Sequence, residues 1–216
     1  MAASLIAMMA DDAWASQLTL LEPLLTAHGM KASLYVPATV VGRSGKLTVA
    51  NLTALQTLGW NVCSHGFSSG PMTRFTIPEL QVELAAARAW HIAHGFAVGG
   101  VHLGPPSDQW SPTLTPYAVA AGFTTVRCNE GKGTLLPSPW KIELRGVGQW
   151  KEWSTITGYV DAAVATPNTL LCLVCHRVVP DACDAIRLDT KVSRMLDVIH
   201  YVLASGLATT TISAVP

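Results

Sequence analysis

Two adjacent carboxylates, Asp11 and Asp12, close the run "IAMMADDAW" at residues 6–14, which carries no charge before them. Neighbouring acids repel and raise each other's pKa, so the pair needs a compensating partner, a metal ion or a cationic group. The β-rich run "NVCSH" ends at His65, a run from Val98 leads into "GPPSDQW", and "TLLCLVCH" ends at His176. Two carboxylates and two imidazoles at the ends of different strands are the ingredients of a metal-assisted hydrolytic site. A divalent ion takes carboxylate oxygen and imidazole nitrogen, acidifies a bound water and polarises a carbonyl. Blander readings stand beside this one. Asp11 and Asp12 also suit a helix N-cap and first-turn acid, and His65 and His176 also suit buried structural histidines.

The elements that must position these groups are punctuated by glycine. "AHG" at 27–29, "TLG" at 57–59, "AHG" at 93–95, "AAG" at 120–122 and "ASG" at 204–206 each close a helical-looking stretch. A short β-rich run follows each: "KASLYVP", "NVCSH", "VGGVHLG", "TTVRC" and "ATTTISAV". Adding "SLIAMMA", "KIELRGVG" and "TLLCLVCH" gives about eight strands alternating with helices, the pattern of βα units and a mostly parallel sheet. In such sheets the carboxyl ends of the strands surround the active site. Thr76 with Glu79 three residues on reads as a capping box. In the last helix, Val192, Met195, Leu196, Ile199 and Leu203 are spaced as one apolar face. "NEGKGTLLPSPW" at 129–140 is a Gly/Pro-rich connection without helical period. With no linker and no internal repeat, residues 1–216 read as one domain.

Half the residues are hydrophobic and 13% are charged, with a formal net charge of zero, so the electrostatic footprint of a nucleic-acid binder is missing. The opening "MAASLIAMMA" is too short for a membrane span and lacks the basic start of a signal peptide. No membrane partner is therefore expected, and localisation is open. The five cysteines, at 63, 128, 172, 175 and 183, read mostly as buried thiols. Cys172 and Cys175 lie three apart on a strand and point to opposite faces, so they share neither a metal nor a bridge.

Taken in order, these stretches resemble a polysaccharide deacetylase domain (NodB homology, carbohydrate esterase family 4). "MADDA" is similar to the family's first signature, and "LEPLLTAHGMKASLYVPATVVG" to the helix and strand that follow it. "GWNVCSHGFSSG" carries the second signature, "HLGPPSDQW" the third and "LVCH" the last. The resemblance implies a distorted, irregular α/β barrel of about seven to eight parallel strands that removes N- or O-linked acetyl groups from a polysaccharide. It implies Asp11 as general base, His176 as general acid, and Asp12 and His65 as ligands of a divalent metal. Zinc is the first expectation, with cobalt, nickel or manganese as alternatives. Pro106, the Ser107 N–H and Trp110 would contact the oxyanion or substrate.

Three positions depart from the pattern. The second metal histidine falls on Ser69, a poor zinc ligand; the arginine that orients the base falls on Gly104; and the glycine after the acid pair is Ala13. These departures support a second reading, a degenerate glycan-binding or structural module. Glycan chemistry without an export signal also raises a larger extracellular or virion particle as its setting. His102 is the spare histidine that could substitute as a ligand. His91 and His94 read as surface residues near a helix end, and Trp110, Trp140 and Trp150 as candidates for stacking on sugar.

Overall fold

The computed structural model describes residues 4–127 and 141–215. Strand β1 (Leu5–Asp11) is apolar on both faces, and the fold buries both. Ile6, Met8 and Ala10 face the larger core with the helices, while Ala7 and Met9 face a smaller core with Tyr35, Cys63, Cys172 and Val174. Burial on both faces is the signature of a strand inside a parallel α/β sheet.

The chain continues through α1 (Glu22–Ala27), β2 (Ala32–Val36), α2 (Val49–Thr57), β3 (Asn61–Ser64), α3 (Ile77–Ala93), β4 (His102–Leu103), α4 (Thr115–Ala120) and β5 (Thr125–Val126). After the segment outside the described residues come β6 (Lys141–Gly146), α5 (Trp153–Ala165), β7 (Thr169–Cys175), β8 (Val178–Val179), β9 (Thr190–Lys191), α6 (Val192–Ala204) and β10 (Ala208–Thr210). The order across the main sheet is β5-β4-β3-β2-β1-β7-β6, with every pairing parallel. β10 pairs with Leu5–Ala7 of β1, where β2 pairs only from Met8 onward. The sheet curls into the half-barrel of an irregular (β/α) barrel.

The expected capping box is formed at α3, where the Glu79 carboxylate accepts from the Thr76 N–H at 2.8 Å and its hydroxyl at 2.7 Å. Cys172 and Cys175 do lie in different cores, and with Cys63 they are free, buried thiols. Other expectations need correction. "VGGVHLG" contributes only His102 and Leu103 to the sheet, because Gly99–Val101 is a 3-10 turn. Leu203 is exposed; the buried face of α6 is Met195, Val198, Ile199 and Val202. Each of these side chains contributes about 1.5–3 kcal/mol by leaving water. His91 is fully buried, on the α3 face shared with Leu80, Leu84 and Ala87. Cys128, Trp140 and the 129–140 connection lie outside the described residues.

Candidate active site

Four residues stand one step past the carboxyl ends of neighbouring strands, each held by a backbone bond that extends the ladder. The Asp12 N–H donates to the Tyr35 carbonyl (3.1 Å), His65 to Val36 (3.0 Å), Gly104 to Ser64 (2.8 Å) and Arg127 to Leu103 (2.7 Å). The parallel sheet thus gathers β1, β2, β3, β4 and β5 at one rim. Asp12 and Ala13 turn away from β1 with φ of 71° and 53°, in the left-handed region that costs an alanine about 1–2 kcal/mol.

Asp11 and Arg127 form a buried pair, 3% and 2% exposed. Arg127 Nη1 donates to Asp11 Oδ1 at 2.9 Å and Nη2 to Oδ2 at 2.7 Å, the two-pronged geometry of the strongest charge-assisted bonds. Burial alone would push the Asp11 carboxyl up. The Arg127 guanidinium, helped by the charges of His65 and His176, instead holds it at about 2. The same guanidinium stacks 4.0 Å over the Tyr35 ring and lies 3.6 Å from Asp108 Oδ1. Burial raises the Asp108 carboxyl, against the pull of Arg127. Sequence reasoning missed Arg127.

Gly104 explains how Arg127 fits. A Cβ at residue 104 would lie 2.6 Å from Tyr35 Cδ1 and 3.0 Å from both Nε and Nη2 of Arg127. A side chain at 104 and the guanidinium therefore compete for one volume. The guanidinium of Arg127 fills, from the next strand, the space beside Gly104.

Asp12 Oδ1 and His65 Nε2 converge to 3.7 Å. His65 Nδ1 is hydrogen-bonded to the Gly104 carbonyl. A carbonyl only accepts, so Nδ1 carries a proton there, and Nε2 is the nitrogen that faces Asp12. An unprotonated Nε2 and a carboxylate oxygen at this separation can share a cation. Bonds of about 2.0–2.2 Å to one ion would span the gap. The donor set fits a divalent ion with two protein ligands. Among the described residues no group of three or more His, Cys, Asp or Glu comes together, and Ser69, at the expected third position, is exposed. The loop after His65 is ordered by Glu83 of α3, whose carboxylate accepts from the Phe67 N–H (2.8 Å), the Ser68 N–H (2.7 Å) and the Ser68 hydroxyl (3.0 Å). This buried acid also escaped the sequence reading.

His176 follows β7 and lines an open cleft with Asp108, Arg145, Trp150 and Tyr159. Asp108, which faces Arg127 at 3.6 Å, shares that cleft with it. Gln17, fully buried, joins β1 to β7: its Nε2 donates to the Asp11 carbonyl at 2.6 Å and the His176 carbonyl at 3.1 Å. It opens a short π-helix, Gln17–Leu21, a form that recurs at functional sites.

Pro106 is buried and Ser107 exposed, with φ of 60° at Ser107 and 51° at Asp108. Ser107 N–H makes none of the backbone bonds that close this turn, which run from Asp108 to Pro105 and Gln109 to Pro106. Trp110 is 7% exposed, packs in a cluster with Met72, Leu80 and Leu103, and donates to Thr115 Oγ1, so little of its ring is open to solvent. His102 bonds Thr125 Oγ1 at 2.8 Å, and among the described residues it joins no group of three or more His, Cys, Asp or Glu that could hold a metal; burial, with Arg88, pushes its imidazole down to about 4.

No family model matches the chain, and no curated protein matches it. Solved structures do match. A family 4 carbohydrate esterase from Streptomyces lividans, in complex with acetate, superposes with a TM-score of 0.62 at 14% identity, over 96% of this chain and 92% of that one. A peptidoglycan deacetylase from Bacillus subtilis gives 0.62 at 17% identity, over 97% and 88%. A family 4 pseudoenzyme from Bacillus anthracis gives 0.67 at 13% identity, over 98% and 64%. The fold is that of the polysaccharide deacetylases.

Proposed function

We propose that this chain is a hydrolase that removes acetyl groups, N- or O-linked, from a polysaccharide, with a divalent metal held by Asp12 and His65. The observation that carries the reading is the convergence of Asp12 Oδ1 and His65 Nε2 to 3.7 Å, next to a buried, ionised Asp11. When bound there, a zinc or similar ion would acidify a water and polarise the acetyl carbonyl. Asp11 accepts the water's proton on a carboxylate that Arg127 holds in orientation. A carboxyl held at about 2 is a weak base, so it serves only a water that is already acidic. The Ser107 N–H donates to the oxygen on which negative charge develops. His176, fixed through Gln17 to the same strand end as Asp11, gives the leaving group its proton.

A second reading, a glycan-binding or structural module without turnover, is favoured by the two-donor metal set, by exposed Ser69, and by likeness to a pseudoenzyme. Two measurements on the purified chain separate them. Cobalt titration followed by visible absorption should show one site, lost in Asp12→Ala and His65→Ala. Acetate release from acetylated xylan, N-acetyl chito-oligosaccharide and an aryl acetate should follow metal loading and vanish in Asp11→Asn. No acetate from any of the three, with the metal site filled, sinks the hydrolase and leaves the module.

A further inference from the structure

We propose that the cleft beside His176 is built for an anionic glycan, one carrying carboxylate or phosphate groups, and that Trp150, Lys151 and Arg187 recognise it. The inference rests on the deacetylase reading for the role of His176 but not for the surface itself. Trp150 is 44% exposed at the cleft wall, near Tyr159 and Leu188. Lys151 Nζ sits 4.0 Å and Arg187 Cζ 4.9 Å from the centroid of its ring. Neither cation pairs with a carboxylate among the described residues. In a chain whose 14 acidic and 14 basic residues balance, two unpaired cations on one exposed indole mark a local positive field. Asp108, the acid that lines this cleft, is already faced by Arg127 at 3.6 Å.

The constellation is held in place before any ligand arrives. Arg177 grips Asp189 with contacts of 3.0 and 2.6 Å, and the Ile186 N–H adds a third bond to that carboxylate at 3.0 Å. The Asp189 carbonyl accepts from the Gln149 N–H at 2.7 Å, and the Lys151 N–H donates to Gly148 at 3.0 Å. These bonds lock the loop bearing Trp150 and Lys151 to the one bearing Arg187. Gly148 lets them meet: a Cβ there would lie 3.0 Å from Trp150 Cδ1 and 3.1 Å from the Arg187 carbonyl oxygen. Cation–ring contact at an exposed site is weak. Both head groups can therefore turn to an anion while the indole meets the apolar face of a pyranose. A neutral glycan would use the ring and leave both charges idle.

The test is equilibrium binding of unacetylated oligosaccharides to the full chain by calorimetry, so no turnover is needed. Tetragalacturonate supplies carboxylates, a phosphorylated mannopentaose supplies phosphate, and xylotetraose is the neutral control. At least one anionic probe should bind roughly tenfold or more tightly than xylotetraose, a gap of about 1.4 kcal/mol. That advantage should fade toward about 1 M salt, where the screening length is ~3 Å. Whichever anion binds names the group. Lys151→Glu with Arg187→Glu should remove the advantage while the far-UV spectrum stays unchanged. Trp150→Ala should weaken both anionic and neutral probes. Equal binding of all three probes, or an anionic preference that survives the double reversal, overturns the proposal. Selective anion binding without acetate release overturns only the hydrolase reading.

Discussion

Arg127 holds both carboxylate oxygens of Asp11, at 2.9 and 2.7 Å, from a strand that is four places away across the sheet order. This contact answers the puzzle of two adjacent acids in an apolar setting. Asp11 is compensated by a guanidinium that shares its burial, and Asp12 turns away toward His65 through a left-handed step. The two carboxylates thereby acquire different environments, which lets them take different roles.

Removing the guanidinium should be costly. Arg127→Met leaves Asp11 buried with its charge unpaired, and breaking such a pair typically costs about 3–5 kcal/mol. The Asp11 carboxyl should rise from about 2, because burial is then opposed only by His65 and His176. Urea unfolding at neutral pH reads the loss. Arg127→Met with Asp11→Asn should recover most of it, since neither charge remains; a double variant no better than the single one would show that packing, not charge, is at stake.

Positions 104 and 127 should behave as alternative roots for one arginine. Gly104→Arg alone forces a side chain into the guanidinium and the Tyr35 ring, and overpacking of this kind costs about 1–3 kcal/mol or more. Gly104→Arg combined with Arg127→Ala should be more stable than Gly104→Arg, with thermal unfolding as the readout. Simple addition of the two single effects would refute a shared volume.

Acid sensitivity should come from buried histidines rather than from Asp11. Burial pushes His102 down to about 4 and lowers His91 from its ordinary 6.5. Between pH 6.5 and 4 the unfolded chain binds protons that the folded chain refuses, so stability falls as pH falls through that window. Asp11 works in another range: its depressed pKa adds stability above the ordinary 3.8 that is lost only as pH drops toward 2. Urea midpoints measured between pH 7 and pH 4 should decline, and His102→Gln should flatten the slope. An unchanged slope in that variant would assign the sensitivity elsewhere.

The strand ends were legible because glycine stops and β-rich runs alternate, and a parallel sheet sends the residue after each strand to one rim. That rule reached Asp11, Asp12, His65 and His176. The same rule, applied to "TTVRC", would have reached Arg127, which stands after β5 as Asp12 stands after β1. It was passed over because a single arginine is an ordinary surface residue until its burial is known. His91 was misread for a related reason. Its spacing from Leu80, Leu84 and Ala87 is the period of a buried helix face, but a histidine near a helix end suggested solvent. Glu83 and Gln17 left no trace because both act on backbone groups outside their own helices, and backbone carries no residue-type signal. Ser69 aligned with a ligand position, yet Ser68 is the serine tied to Glu83, and Ser69 stays exposed.

That last point sets the final prediction, on metal affinity. Two protein ligands, Asp12 and His65, should hold zinc or cobalt more weakly than the three usual at catalytic zinc sites. Ser69→His adds an imidazole to the loop that leaves His65, and Glu83 holds that loop through two backbone N–H groups and the Ser68 hydroxyl. If the loop brings residue 69 within reach of the ion, cobalt affinity should rise by about tenfold or more, about 1.4 kcal/mol, with stronger visible absorption as the coordination sphere closes. Glu83→Ala in the Ser69→His background should forfeit much of that gain, because the added ligand would then pay the ordering entropy of its own loop. Unchanged cobalt affinity in Ser69→His would mean that residue 69 points away from the Asp12–His65 gap, and that the ion's other positions belong to water and substrate.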